Sequence, residues 1–275
     1  MKVVDREVEH GFDAEISQSS KKLLFNFLKP SAVNKKLLST ENPHVWCASF
    51  SEHKKNIDEF EPLLSLEENF RANSFIHRHD RQRAVLARGL LRTLLAKYLD
   101  SIPVDLEFMC DQFGKPILSA EKYKNAPTFN LSHSGDFFLL VVAAADSKVG
   151  IDIEQHRSIS ELLKIADKYF HPNEVDELSS LPLSMQAVAF FDCWTRKESI
   201  VKALGLGIST PLLGDFRVSI LPNIQPKLLC WLGSEDEVNL WAMRELQLPE
   251  NGYSATVATR GISLQQVHCW YYTNQ

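Results

Sequence analysis

Apolar residues recur along this chain with two periods, and the alternation between them sets out helices and strands. Leu86, Leu90, Leu94 and Tyr98 stand four apart with Leu91, Leu95 and Leu99 beside them. That period predicts one long helix over roughly Leu66 to Leu99, closed by Asp100 and Pro103. HVWCASF at 44–50 predicts a first strand, while an earlier amphipathic stretch, KKLLFNFLK, stops at Pro30 with no element assigned to it. LEFMCDQFGKPIL predicts a strand, a turn at Gly114 and a second extended piece. FNLSHSGDFFLLVVAAADSKVGIDIE predicts three short strands divided by turns at SHSGD and ADSK. ELLKIADKYF predicts a helix ending before Pro172, and NEVDELSSLPL a short helix with a loop. A further helix over Ser184 to Leu204 is stopped by Gly205 and Gly207. Strands resume in FRVSI, LLCWL, VNLWAM, YSATVAT and ISLQQVHCWYY.

Each half thus holds a long helix followed by strands. Each also ends in a hairpin-like pair, FFLLVVAAA/VGIDIE and YSATVAT/ISLQQVHCWYY. The order of elements, not residue identity, suggests a duplication divided near Ser147, with an N-terminal lobe over 1–146 and a C-terminal lobe over 147–275.

Composition narrows the class. With 275 residues and 44% hydrophobic content a sizeable core is available. A net charge of −5 argues against a general nucleic-acid binder, so an anionic ligand needs a local basic site. The start, MKVVDREVEH, lacks the apolar core of a signal peptide, and the longest apolar run, Phe137 to Ala145, is far short of a membrane span. Five scattered cysteines with no CxxC pair read as reduced, mostly buried thiols and point to the cytoplasm.

Candidate chemistry begins at VGIDIEQ, 149–155. Residues two apart on a strand share a face, so Asp152 and Glu154 project together while Ile151 and Ile153 face the core. Paired carboxylates repel unless a cation or a shared proton offsets them; a solvated acidic strand end accounts for the pair as well. On the helix CWTRKESIVKALG, Trp194, Glu198 and Lys202 lie four apart on one face with Lys197 beside it. A surface Glu–Lys pair explains that spacing, yet a third carboxylate beside a lysine also suits magnesium and pyrophosphate. FGKP places Lys115 between a flexible glycine and rigid Pro116, and NLSHSGD offers Ser132 and His133 in a turn. Adjacent residues of an extended strand point apart, which disfavours Ser132 and His133 as a nucleophile–base pair and leaves phosphate contacts or a turn-stabilising bond. His77 and His79, two apart on a predicted helix, are misplaced for zinc.

FGKPIL, FNLSHSGD, VGIDIE and WTRKESIVKALGLGIS stand in the order and spacing of the Sfp-type 4′-phosphopantetheinyl transferases, which this chain resembles from about Leu66 to Val218. The resemblance implies an α+β fold of two similar lobes in pseudo-twofold arrangement, each a small mainly antiparallel sheet with a long helix, with coenzyme A between them. It implies Mg2+ on Asp152, Glu154 and Glu198, with Glu198 the candidate base and Lys202 on the pyrophosphate. It also implies Lys197 as a second pyrophosphate ligand, Lys115 and Pro116 at the nucleotide, and Ser132 and His133 on phosphates. Arg71 and Arg83 match basic positions for the 3′-phosphate, whereas Glu68 stands where a relative carries lysine. The implied reaction moves phosphopantetheine from coenzyme A to a serine of an apo acyl or peptidyl carrier protein and releases 3′,5′-ADP. Fatty acid, polyketide and nonribosomal peptide synthesis all use such carriers. A monomer is expected, and Asn173 to Met185, with Leu178, Leu181 and Leu183, is the candidate docking segment. Another magnesium phosphohydrolase and a non-catalytic carrier-binding module are the alternatives.

Overall fold

Strands made almost wholly of apolar residues must be covered on both faces, and two of them set the layering of this molecule. The computed structural model describes residues 22–28, 42–112, 115–206, 211–221, 224–232 and 234–273. The first half contains strands β1 (Lys22–Leu24), β2 (Asn26–Leu28) and β3 (His44–Ser49), then short helices α1 (Phe50–His53) and α2 (Ile57–Phe60). Helices α3 (Leu66–Asn73) and α4 (Arg78–Leu99) lead into β4 (Phe108–Cys110), β5 (Pro116–Leu118), β6 (Thr128–Ser134) and β7 (Phe137–Ala143). Next come β8 (Lys148–Gln155), α5 (Leu162–Tyr169), α6 (Pro172–Ser180) and α7 (Leu183–Ala203). The chain then forms β9 (Phe216–Val218), β10 (Leu228–Trp231), α8 (Glu235–Asn239), β11 (Trp241–Gln247), β12 (Tyr253–Arg260) and β13 (His268–Tyr272).

Every residue of β3 and β7 is buried. One face of these strands, with Trp46, Phe138, Leu140 and Val142, packs on Leu86, Leu90 and Leu94 of α4. The other face, with Val45, Leu139 and Val141, meets Val149, Ile151, Ile153 and Val257 of the second sheet. That second sheet turns Met243 and Ala258 toward Ile200 and Val201 of α7. The layers are therefore helix, five-stranded sheet (β2-β13-β3-β7-β6), four-stranded sheet (β1-β11-β12-β8) and helix. This is the α+β pair of similar lobes that the sequence leads one to expect. Among the described residues no helix is long and apolar enough to cross a membrane.

Three expectations change. The long helix divides at Ser74, whose hydroxyl donates to the Arg71 carbonyl at 2.7 Å, and His77 then turns extended before α4. Within VNLWAM, Val238 and Asn239 end the short α8, capped by Ser234 and opened by three acidic residues, and the strand starts only at Trp241. Neither hairpin-like pair forms. β7 lies in the five-stranded sheet and β8 in the other, and β12 and β13 are parted in the opposite sense. Asp146, at a φ of 61°, sits in the turn that carries the chain from one sheet to the next. Strands buried on both faces look alike whether their successor lies beside or beneath them, so hydrophobicity does not separate the two cases. The five-stranded sheet accordingly takes β13 from the far end of the chain, beyond the line expected at Ser147. Gly114, Gly207 and Pro30 lie outside the described residues.

Candidate active site

The alternation of β8 sends Val149, Ile151 and Ile153 into the core between the sheets and leaves Gly150, Asp152 and Glu154 facing α7. Gly150 has a clear reason. A Cβ there would stand 2.5 Å from the amide nitrogen of Ala203 and closer still to the carbonyl oxygen of Ser199. The missing side chain thus lets the backbone of α7 rest directly on β8. Glu198 and Lys202 lie four apart on that helix and so reach the same carboxylates from above.

Lys202 donates from Nζ to Asp152 Oδ1 at 2.6 Å and to Ser132 Oγ at 3.0 Å. Ser132 Oγ donates in turn to Asp152 Oδ1 at 2.9 Å. Lys115 reaches the same corner, its Nζ 3.4 Å from the Lys202 carbonyl, and burial pushes its ammonium below the usual lysine pKa. Ser134 Oγ donates to Glu154 Oε2 at 3.1 Å. Glu198 is 2% exposed, and among the described residues neither of its carboxylate oxygens has a partner; Asp152 Oδ2 is likewise buried and unpaired. Burial, and then the neighbouring charge of Asp152, raise the Glu198 pKa to about 7 despite Lys202. The same two causes raise Glu154.

Among the described residues no group of three or more His, Cys, Asp and Glu side chains is already arranged to hold a metal ion. Three buried carboxylate oxygens without partners nevertheless fit a hard cation such as magnesium, which oxygen ligands bind and which would offset the raised pKa values.

The nucleotide-side residues separate into two groups. The Arg83 guanidinium lies 5.4 Å from the Phe50 ring centroid, and that ring meets His133 edge-on at 5.9 Å. The crowding of this corner, followed by the Arg83 and Lys202 charges, lowers the His133 pKa. Pro116 opens β5 opposite Cys110. Arg71 is exposed, bonds to Glu67 at 2.6 Å and lies 3.7 Å from Cys110 Sγ. Glu68 serves the fold, because it completes the capping box with Ser65 and pairs at 2.7 Å with buried Arg92, whose guanidinium also holds the carbonyls of Pro103 and Leu106. Neither Arg92 nor Gly150 is singled out by sequence reasoning. A glycine inside an apolar strand was the available signal for the second.

Lys197 does not reach this site. It is 1% exposed, with Nζ 2.7 Å from Glu174 Oε2 and 2.6 Å from the Phe216 carbonyl in the core beneath α7. Its role is a buried ion pair, not pyrophosphate binding. Lys197→Ala would strand the Glu174 carboxylate, also fully buried. The expected result is a loss of about 3–5 kcal/mol in urea unfolding, with KM for coenzyme A unchanged in the folded protein. The expected docking segment also divides, since Leu178 is core and Leu183 is 85% exposed. Of the cysteines, Cys47, Cys193 and Cys269 are buried and all five are free, with Cys110 exposed.

Residues 148–258 match the model of the 4′-phosphopantetheinyl transferase superfamily, and residues 48–147 match that of the 4′-phosphopantetheinyl transferase N-terminal region. The 4′-phosphopantetheinyl transferase HetI of Nostoc sp. is 33% identical over 243 residues, covering 88% of this chain and 97% of that one. The 4′-phosphopantetheinyl transferase Sfp of Bacillus subtilis is 32% identical over 156 residues, 56% of this chain and 66% of its own. The mouse L-aminoadipate-semialdehyde dehydrogenase-phosphopantetheinyl transferase is 31% identical over 208 residues, 70% of this chain and 66% of its own. With adjoining matches on both sides of Ser147 and one relative aligned almost end to end, the chain belongs to the 4′-phosphopantetheinyl transferases, enzymes that move the phosphopantetheine arm of coenzyme A onto carrier proteins.

Proposed function

We propose that the transfer takes place where β6, β8 and α7 meet, with Lys202 and Glu198 as its catalytic residues. The observation that carries this reading is the Lys202 ammonium seated between Asp152 and Ser132, beside the orphaned oxygens of Asp152 and Glu198. Asp152, Glu154 and Glu198 are the residues that would hold magnesium, which would supply positive charge to offset that of the phosphate oxygens.

The chain's own groups account for the rest. Ser132, His133 and Lys115 bind and orient the phosphates, Pro116 borders the nucleotide, and Arg83 and Arg71 offer cations for the 3′-phosphate. Glu198 takes the proton of the carrier serine as its oxygen bonds to the β-phosphorus of coenzyme A. The bond from that phosphorus to the bridging oxygen breaks, and 3′,5′-ADP leaves with charge that Lys202 offsets.

The test weighs an apo carrier protein after incubation with the enzyme, coenzyme A and magnesium. The carrier should gain one phosphopantetheine arm. Lys202→Ala should lower kcat by about 100- to 1,000-fold. Undiminished turnover in that variant would remove Lys202 from the mechanism.

A further inference from the structure

The two sheets meet along an edge that no backbone ladder closes. β6 is the last strand of one sheet and β8 the last of the other. The outer N–H groups of β8 still need acceptors, because a buried donor without one is costly. Side chains of β6 supply two of them. Ile151 N–H donates to Asn130 Oδ1 at 2.8 Å, and Gln155 N–H donates to Ser134 Oγ at 3.0 Å. Between them Ser132 bonds to Asp152, and Ser134 also reaches Glu154.

These partners are offset by 21, 20, 20 and 21 residues along the chain, so β6 and β8 run side by side in the same direction and in fixed register. Asn130, Ser132 and Ser134 stand two apart and share one face of β6. They differ in what they can fix. The two serine hydroxyls rotate, and both bond to carboxylates on the proposed magnesium side. Asn130 is planar and buried, and its oxygen accepts from the backbone of the residue next to Asp152. A donor faces it, so only the oxygen, not the amide nitrogen, can occupy that position.

We infer that Asn130 is a positioning residue for the transfer. Its side-chain carbonyl holds the edge of β8 at the height that sets Asp152 between Ser132 and Lys202. The inference rests on the active-site reading above. A slip of β8 by one residue would turn the face bearing Asp152 and Glu154 toward the core between the sheets, so the register matters to the chemistry and not only to the fold.

Two measurements test it. In the wild-type protein, NMR hydrogen exchange at the Ile151 amide should be as slow as at the laddered core amides of β8. Exchange at the rate of an unbonded amide would overturn the inference whatever any variant does. In Asn130→Ala, the Ile151 amide should exchange at least about tenfold faster. Its kcat should fall by about 100-fold while KM for coenzyme A stays within about threefold. A variant that is merely less stable, with unchanged kcat in its folded fraction, overturns the positioning role. If the wild type loads no carrier while Ile151 remains protected, the functional reading fails and the β6–β8 seam stands.

Discussion

Glu198→Gln should give a protein that is more stable than the wild type without magnesium and nearly inactive with it. Glu198 is buried, its oxygens lack partners, and its folded pKa of about 7 lies above the ordinary value of 4.5. Between those two values the folded state holds the proton more tightly than the unfolded one. Stability of the metal-free wild type therefore falls as pH rises through that window, by at most about 3 kcal/mol, and remains lower above it. An uncharged amide removes this dependence. Thermal unfolding without metal at pH 8 should show a higher midpoint for the variant, and the gap should close near pH 5. Turnover should drop by about 100- to 10,000-fold with the loss of the base. Magnesium should raise the wild-type midpoint and leave the variant nearly unmoved. A lower midpoint for Glu198→Gln at pH 8, or retained turnover, would contradict the roles given to this carboxylate.

Gly150→Ala should be the most damaging glycine-to-alanine change among the described residues. Its Cβ has to displace the backbone of α7 at Ser199 and Ala203, and no flexible side chain is available to yield instead. Overpacking of this kind costs about 1–3 kcal/mol and occasionally more. The larger effect is on chemistry. Lifting α7 moves Glu198 and Lys202 together away from Asp152, and a misplacement of about 1 Å is enough for roughly a 100-fold loss. A urea midpoint and a single-turnover rate measured on the same sample separate the two effects. Wild-type turnover in Gly150→Ala would show that the close approach of helix and strand is not needed.

How legible the site was in the sequence depends on the distance over which each fact is encoded. Asp152 and Glu154 share a face because a strand alternates, and Glu198 and Lys202 share one because a helix turns every 3.6 residues. Both rules act within a few residues, and the structure places these four side chains as those rules require. Lys197 illustrates the same rule misapplied. One residue before Glu198 it is rotated about 100° around the helix, which takes it into the core with Glu174. Arg92 and Glu68 pair across 24 residues, and β6 meets β8 across 20 or 21. No local period records such contacts. The exchange of strands between sheets was the least legible feature, since its pairings depend on which of several equally apolar strands lie in the same layer.

The position of β13 also bears on how the protein is made. It sits inside the five-stranded sheet, between β2 and β3, with His268 opposite His44. During synthesis, β3, β7 and α4 leave the ribosome long before their missing neighbour exists. One edge of β3 must wait until residues 268–272 have been made, and an open apolar edge is a site for association with other nascent chains. Completion of the first sheet thereby waits for residues 268–272 to be made. Chains stalled before residue 268 should depend on chaperones far more than chains that include β13.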